Sequence, residues 1–78
     1  MPELSDIEIF TGPGCRHCEA AKELLRARGL PFAERDVSDP EVMLELRERL
    51  PQSKTIPQVF ANGDYLGNEQ DLREHLNA

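Results

Sequence analysis

Between Ile7 and Val37 the apolar pattern changes from a strand period to a helical one and back to a strand, and this limits the chain to very few topologies. Ile7, Ile9 and Thr11 alternate with Glu8 and Phe10, a run rich in β-branched and aromatic residues that predicts a strand over Ile7 to Thr11. Gly12-Pro13-Gly14 stops it. From Cys15 to Arg28 the positions Cys18, Ala21, Leu24, Leu25 and Ala27 follow helical spacing, and Gly29 with Pro31 supplies the stop. A second strand is predicted over Phe32 to Val37. Two strands joined by one helix of about 14 residues pair parallel through a right-handed crossover.

The rest of the chain adds a helix and a hairpin to this unit. Ser38-Asp39-Pro40 offers a polar cap and then a proline near the first helical position. Met43, Leu46 and Leu50 mark the expected buried stripe of that helix, which ends before Pro51. Gln58 to Ala61 and Asp64 to Leu66 flank Asn62-Gly63, a strong two-residue hairpin signal. Gly67-Asn68 leads into a last helix with Asn68 as cap, Asp71 three positions on, and Leu72 and Leu76 four apart. The order is β-α-β-α-β-β-α. No repeat, linker or low-complexity segment interrupts it, so residues 1–78 are read as one domain.

Fifteen acidic residues against nine basic ones give a net charge of −6, and the cations are scattered among carboxylates. Nucleic acid and anionic membrane both need a concentrated basic patch and are therefore not expected as partners. No apolar run exceeds three residues, whereas a membrane-spanning helix needs about 20 and a signal peptide has its own apolar core. A cytoplasmic protein is the expectation.

The two cysteines stand three apart, as Cys15-Arg16-His17-Cys18. A disulfide across so short a loop restricts the unfolded chain little and makes a weak structural staple. In a cytosolic-looking chain the spacing reads as a redox pair. Structural zinc needs about four ligands, which Cys15, Cys18, His17 and a distant His75 provide only if the C-terminal histidine folds back. The cysteines open a helix that follows a strand, and this placement divides their roles. Unpaired N–H groups and the helix dipole stabilise Cys15 as a thiolate, while Cys18, one turn further in, stays more buried and protonated until needed. Cys15 is the candidate nucleophile and Cys18 the resolving thiol. Arg16 adds a positive charge, and His17 is expected to donate a hydrogen bond, or when protonated a charge, to the same sulfur.

Ile9-Phe10-Thr11 running into the dithiol, Thr55-Ile56-Pro57-Gln58-Val59-Phe60, and Tyr65-Leu66-Gly67-Asn68-Glu69-Gln70-Asp71-Leu72, in this order and at these separations, resemble the glutaredoxins over nearly the whole chain from Ile7 to Leu76. The resemblance implies the thioredoxin fold, a four-stranded mixed sheet in order 2-1-3-4 with helices on both faces. It also implies glutathione as reductant and co-substrate, no resident metal, and a monomer acting on disulfide-bearing or glutathionylated proteins. Pro57 matches the family's cis-proline, beside which the backbone of Ile56 would pair with an extended peptide such as glutathione. The γ-glutamyl carboxylate would lie at the start of the last helix, at Asn68, Glu69, Gln70 and Asp71. Thr55 and Lys54 precede the proline, and Lys54 would hold the glycyl carboxylate.

The departures from the family pattern are specific. The usual Pro-Tyr between the cysteines is Arg16-His17, and the basic residue that often follows the first strand is Gly12. Asn68 replaces the second glycine of a Gly-Gly turn, and Gln70 stands where many members carry an aspartate toward the γ-glutamyl amine. Two alternatives remain open. A redoxin reduced by thioredoxin reductase shares the fold but usually carries a Trp-Ser-Gly-Phe type segment, and this chain has no tryptophan. A glutathione-ligated [2Fe–2S] carrier, held by Cys15 of two protomers, is favoured by single-cysteine relatives, which Cys18 opposes. His75 is given no role.

Overall fold

The computed structural model describes residues 5–53 and 55–77. Strand β1 (Ile7–Thr11) leads into helix α1 (Arg16–Ala27), strand β2 (Phe32–Asp36) and helix α2 (Pro40–Arg49); strands β3 (Gln58–Ala61) and β4 (Asp64–Gly67) then precede helix α3 (Glu69–Asn77). The sheet order is β2-β1-β3-β4, with β1 parallel to β2 and antiparallel to β3, and β4 antiparallel to β3. This is the thioredoxin-like α/β fold expected from the sequence.

β1 is central, so both its faces are covered. Ile7 and Ile9 pack with Val59 and Ala61 of β3, Ala21 and Leu25 of α1 and Leu72 of α3. Phe10 points the other way and packs with Phe60 and Leu46 of α2. Helices α1 and α3 therefore cover one face and α2 the other. Burying each such large side chain stabilises the fold by roughly 1.5–3 kcal/mol. Phe10 and Phe60 meet edge to face at 5.7 Å. Over them lie the guanidinium groups of Arg35 and Arg49, at 5.6 Å from the Phe10 centroid, with Arg49 5.0 Å from that of Phe60. The same arginines pair with Glu8 and Glu45. The α2 stripe departs from expectation in one respect, because Met43 lines an open groove and Leu50 is the C-cap residue. Of the predicted α2 stripe only Leu46 is buried, and Met43 and Leu50 are half-buried.

The local signals act as the sequence predicts. Asn62 and Gly63 both take positive φ, 55° and 82°, as a tight hairpin turn requires. Helix α1 ends in a Schellman motif, with the Gly29 N–H bonded to the Arg26 carbonyl and the Leu30 N–H to that of Leu25. Asp39 caps α2, its side chain accepting the Glu41 N–H, with Pro40 at the first helical position. The Schellman motif fixes where α1 ends, opposite the end that carries the dithiol.

Candidate active site

Cys15 is the N-cap residue of α1, in extended backbone conformation, and its sulfur accepts the Cys18 backbone N–H at 3.1 Å. Cysteine here takes the place of the usual Ser, Asp or Asn cap. The bond directs one of the unpaired donors of the helix start at this sulfur, and in the reduced protein that is the group which stabilises a thiolate. Cys15 is half-buried and Cys18 fully buried, the division of exposure expected of nucleophile and resolving thiol. The two are joined as a disulfide, with Cα atoms 5.2 Å apart.

Across from this turn the Ile56–Pro57 peptide bond is cis, and the Ile56 carbonyl oxygen lies 3.9 Å from Cys15 Sγ. The loop that carries it is anchored by Gln58, which is buried. The Gln58 side-chain amide donates to Ser53 Oγ at 2.6 Å and to the Thr55 carbonyl at 2.9 Å, and its oxygen accepts from the Tyr65 hydroxyl at 2.6 Å. Sequence reasoning missed this positioning role. The available signal was a glutamine at the start of a strand otherwise made of Val, Phe and Ala, because a buried amide needs partners. Thr55 is exposed. Lys54 lies outside the described residues.

Gly12 has a steric reason. A Cβ there would come within 2.8 Å of Ile56 Cδ1 and 3.4 Å of Val37 Cγ2, so Ile56 occupies the space a basic residue would need.

The third side of the site is the start of α3. Asn68 and Asp71 cap it reciprocally, with the Asp71 N–H donating to Asn68 Oδ1 and the Asn68 N–H to Asp71 Oδ2, each at 3.0 Å. The Glu69 and Gln70 N–H groups are left with no intrahelical acceptor and suit an anion. Gly67 approaches the Asp71 carboxyl group so closely, at φ 127°, that a Cβ would overlap it. The glycine is what lets the cap close.

His17 is placed differently from expectation. Its Nδ1–H donates to Glu69 Oε1 at 3.2 Å, so the ring engages the start of α3 in place of the Cys15 sulfur. A carboxylate beside an imidazole outcompetes a sulfur as acceptor. Glu69 is also bonded by Arg73 Nε at 2.9 Å, and its carboxyl is held below the usual carboxylate range by the His17 hydrogen bond first and by Arg73 next. Arg16 is exposed and begins α1 beside Cys15. His75 is exposed in the last turn of α3. Among the described residues no three His, Cys, Asp or Glu side chains gather as metal ligands.

Lys22, one turn beyond Cys18, is 8% exposed although charged. Its ammonium pairs with Glu19 at 2.7 Å and Glu34 at 2.9 Å, and Glu34 also accepts from the Thr11 hydroxyl at 2.8 Å. These bonds tie the dithiol helix to β2 and to the last residue of β1.

Residues 7–66 match the family model for glutaredoxin. The chain is 38% identical over 70 residues to the hybrid peroxiredoxin hyPrx5 of Haemophilus influenzae, covering 90% of this chain and 29% of that protein. It is 29% identical over 69 residues to glutaredoxin 3 of Escherichia coli K12, covering 88% of this chain and 83% of that one. The solution structure of glutaredoxin from Brucella melitensis superposes with a TM-score of 0.77 at 36% identity, covering 97% of this chain and 83% of that one.

Proposed function

This chain belongs to the glutaredoxin family and is a thiol–disulfide oxidoreductase of that kind, and from this premise we propose that it uses glutathione to reduce protein disulfides and protein–glutathione mixed disulfides. The observation that carries the proposal is that three features gather around the dithiol turn. Cys15 caps α1, the Ile56 carbonyl lies 3.9 Å away, and the start of α3 is tied to the dithiol turn through His17 and Glu69. A tripeptide with an anionic end and an extended backbone has a place in each.

In the proposed cycle the Cys15 thiolate attacks one sulfur of the target disulfide, and the other sulfur leaves as a thiolate and takes up a proton. Cys18 then loses its proton and attacks Cys15 Sγ, releasing the target's second thiol and closing the Cys15–Cys18 disulfide. One glutathione thiolate opens that disulfide at Cys15, and a second attacks the glutathione sulfur, giving glutathione disulfide and free Cys15. For a glutathionylated protein, Cys15 takes the glutathionyl group and a second glutathione removes it.

The γ-glutamyl carboxylate is assigned to the Glu69 and Gln70 N–H groups, within the Asn68–Asp71 cap. The cysteinyl backbone is assigned to Ile56 beside Thr55 and Pro57, and the glycyl carboxylate to Lys54. Arg16 supports the thiolate. The protein is read as a cytoplasmic monomer with no resident metal. Its 38% identity to part of a hybrid peroxiredoxin favours a peroxiredoxin's oxidised cysteine as one protein target.

A coupled assay tests this by comparing glutathione plus glutathione reductase with thioredoxin reductase as the electron source. Turnover with glutathione alone is expected; turnover only with thioredoxin reductase would make the chain a redoxin of the other kind.

A further inference from the structure

The exchange cycle moves a proton at two moments. An alkyl thiolate leaving the target disulfide must be protonated, and a glutathione thiol must lose its proton before it attacks. Among the described residues near the dithiol few groups can serve. The Arg16 guanidinium does not give up its proton. Cys18 is fully buried, and Lys22 is 8% exposed and held by Glu19 and Glu34. The Asp71 carboxylate is occupied by the Asn68 N–H. His75 lies in the last turn of α3, whereas the first residue of that helix meets the dithiol turn.

His17 differs from all of these. It is two residues from Cys15 in the first turn of α1, and 76% of its side chain is exposed, so solvent and a bound disulfide have access to the ring. Its Nδ1 is committed to Glu69 at 3.2 Å. That carboxylate is only 13% exposed and is itself braced by Arg73, whose Nε and terminal nitrogen lie 2.9 and 2.8 Å from its Oε2. An exposed ion pair contributes little stability. What this one does is fix the ring: with Nδ1–H on the carboxylate, Nε2 is the nitrogen that gains and loses a proton.

We propose that His17 is a catalytic acid and base, with Glu69 as its positioning residue, and shuttles one proton between the two half-reactions. The proposal deepens the glutathione reading above and rests on it. In the first half-reaction the Cys15 thiolate bonds to the glutathionyl sulfur of a mixed disulfide. The old S–S bond breaks, its electron pair leaves on the target's sulfur, and that sulfur takes the proton from His17 Nε2. In the second, a glutathione thiol gives its proton to the now neutral Nε2 and bonds to the glutathionyl sulfur, while Cys15 leaves as a thiolate. The products are the target thiol and glutathione disulfide, and the imidazolium is restored. Glu69 balances its charge in the resting state.

The test is a single turnover of reduced protein carrying Cys18→Ser, which stops at the Cys15 adduct and is read by mass after acid quenching. Two probes differ in their leaving group: the mixed disulfides of glutathione with mercaptoethanol and with thionitrobenzoate. The aromatic thiolate is weakly basic and leaves without a proton, whereas the alkyl thiolate needs one. His17→Asn should slow the alkyl probe about ten-fold, a modest factor because water can also supply the proton, and leave the aromatic probe within about two-fold. Glu69→Gln, whose amide oxygen still accepts the Nδ1–H, should slow the alkyl probe by less and again spare the aromatic one. Equal slowing of both probes in His17→Asn would place its effect on the Cys15 thiolate or the fold and overturn the shuttle, as would an unchanged alkyl rate. The same probes with the two-cysteine protein, read as released thiol, repeat the comparison should Cys18→Ser fail to fold. A protein with His17 intact that reacts with the probes no faster than free glutathione does would overturn the glutathione reading itself.

Discussion

His17 and Glu69 stand 52 residues apart, yet the imidazole Nδ1 and the carboxylate Oε1 meet at 3.2 Å, tying the turn between the two cysteines to the first residue of α3. The contact redistributes the work of the two residues inside the dithiol. His17 spends its Nδ1–H on Glu69, and on the proposed reading Arg16, which opens α1 beside Cys15, is the residue of the two that supports the thiolate.

Arg16→Gln should therefore weaken the Cys15 thiolate more than His17→Asn does. A change of about half a pK unit corresponds to roughly 0.7 kcal/mol and about 15 mV of two-electron potential, so the Arg16 variant should also be the less oxidising. Absorbance titration of the reduced variants and equilibration with glutathione buffers check both quantities. A larger effect at His17 would mean that its ring leaves Glu69 once the disulfide is reduced.

Much of this site was legible because local chemistry specifies it. The β1 alternation, the Gly-Pro-Gly stop and the cysteine at a helix start together place the dithiol. Asn68 with Asp71 announces the reciprocal cap of α3, and Asn62-Gly63 the hairpin. The His17–Glu69 contact was not legible, since a pairing between the starts of two helices leaves no mark on the period of either. Lys22 was hidden for a related reason. Its position in α1 is compatible with a solvated lysine until Glu34 and Thr11 are brought beneath it by the sheet. Met43 is only half-buried because it lines an open groove beside α2, and Leu50 because it is the C-cap residue at the end of that helix.

Lys22 should matter for stability more than an ordinary surface charge. Its two carboxylate partners are themselves 65% and 41% exposed at Glu19 and Glu34, which limits the cost because either can return to water. Lys22→Met keeps the apolar stem and should cost about 0.5–1.5 kcal/mol; Lys22→Ala also loses the packing of the stem and should cost about 2 kcal/mol. In a domain of this size that is a fall in Tm of roughly 4–8 °C per kcal/mol, readable by calorimetry. Equal melting of wild type and Lys22→Ala would show that the network contributes nothing.

Acid should destabilise the protein through identifiable carboxylates. Glu69 is held low by His17 and then Arg73, Glu34 by Lys22 and then Thr11, and Glu45 by Arg35. Each binds its proton less readily folded than unfolded. Its stabilisation is complete above the unfolded-state value near 4.3 and disappears as pH falls through the depressed folded value. Denaturant midpoints should therefore be level around pH 6 and drop below about pH 4.5. The drop should be shallower in Glu45→Gln, at the expense of a lower midpoint at pH 6. A midpoint that stays flat to pH 3 would contradict the assignment.

Gly67 should be intolerant of even one added carbon. With φ at 127° and the Asp71 carboxyl group against it, Gly67→Ala strains the backbone and pushes Asp71 out of its bond to the Asn68 N–H. The expected loss is about 1–3 kcal/mol of stability. A rise in the apparent constant for a glutathionylated peptide should accompany it, because the start of α3 would no longer be ordered. Normal stability in Gly67→Ala would show that the cap can move aside at little cost.

The two cysteines should fail in different ways, because their positions on α1 differ. Cys15 is half-buried at the cap, where its sulfur is reachable and receives the Cys18 N–H; Cys18 is fully buried a turn inside and meets no substrate before Cys15 has formed a mixed disulfide. Cys15→Ser removes the nucleophile and should abolish every exchange reaction. Cys18→Ser should still strip glutathione from a glutathionylated peptide, since a second glutathione can release the adduct on Cys15. It should lose most reduction of a protein disulfide, for which the resolving thiol must be adjacent to compete with reversal. Assays of both variants on both substrates decide between these outcomes. Residual exchange in Cys15→Ser, or a Cys18→Ser variant inert toward the glutathionylated peptide, would mean that the helix start does not choose the nucleophile.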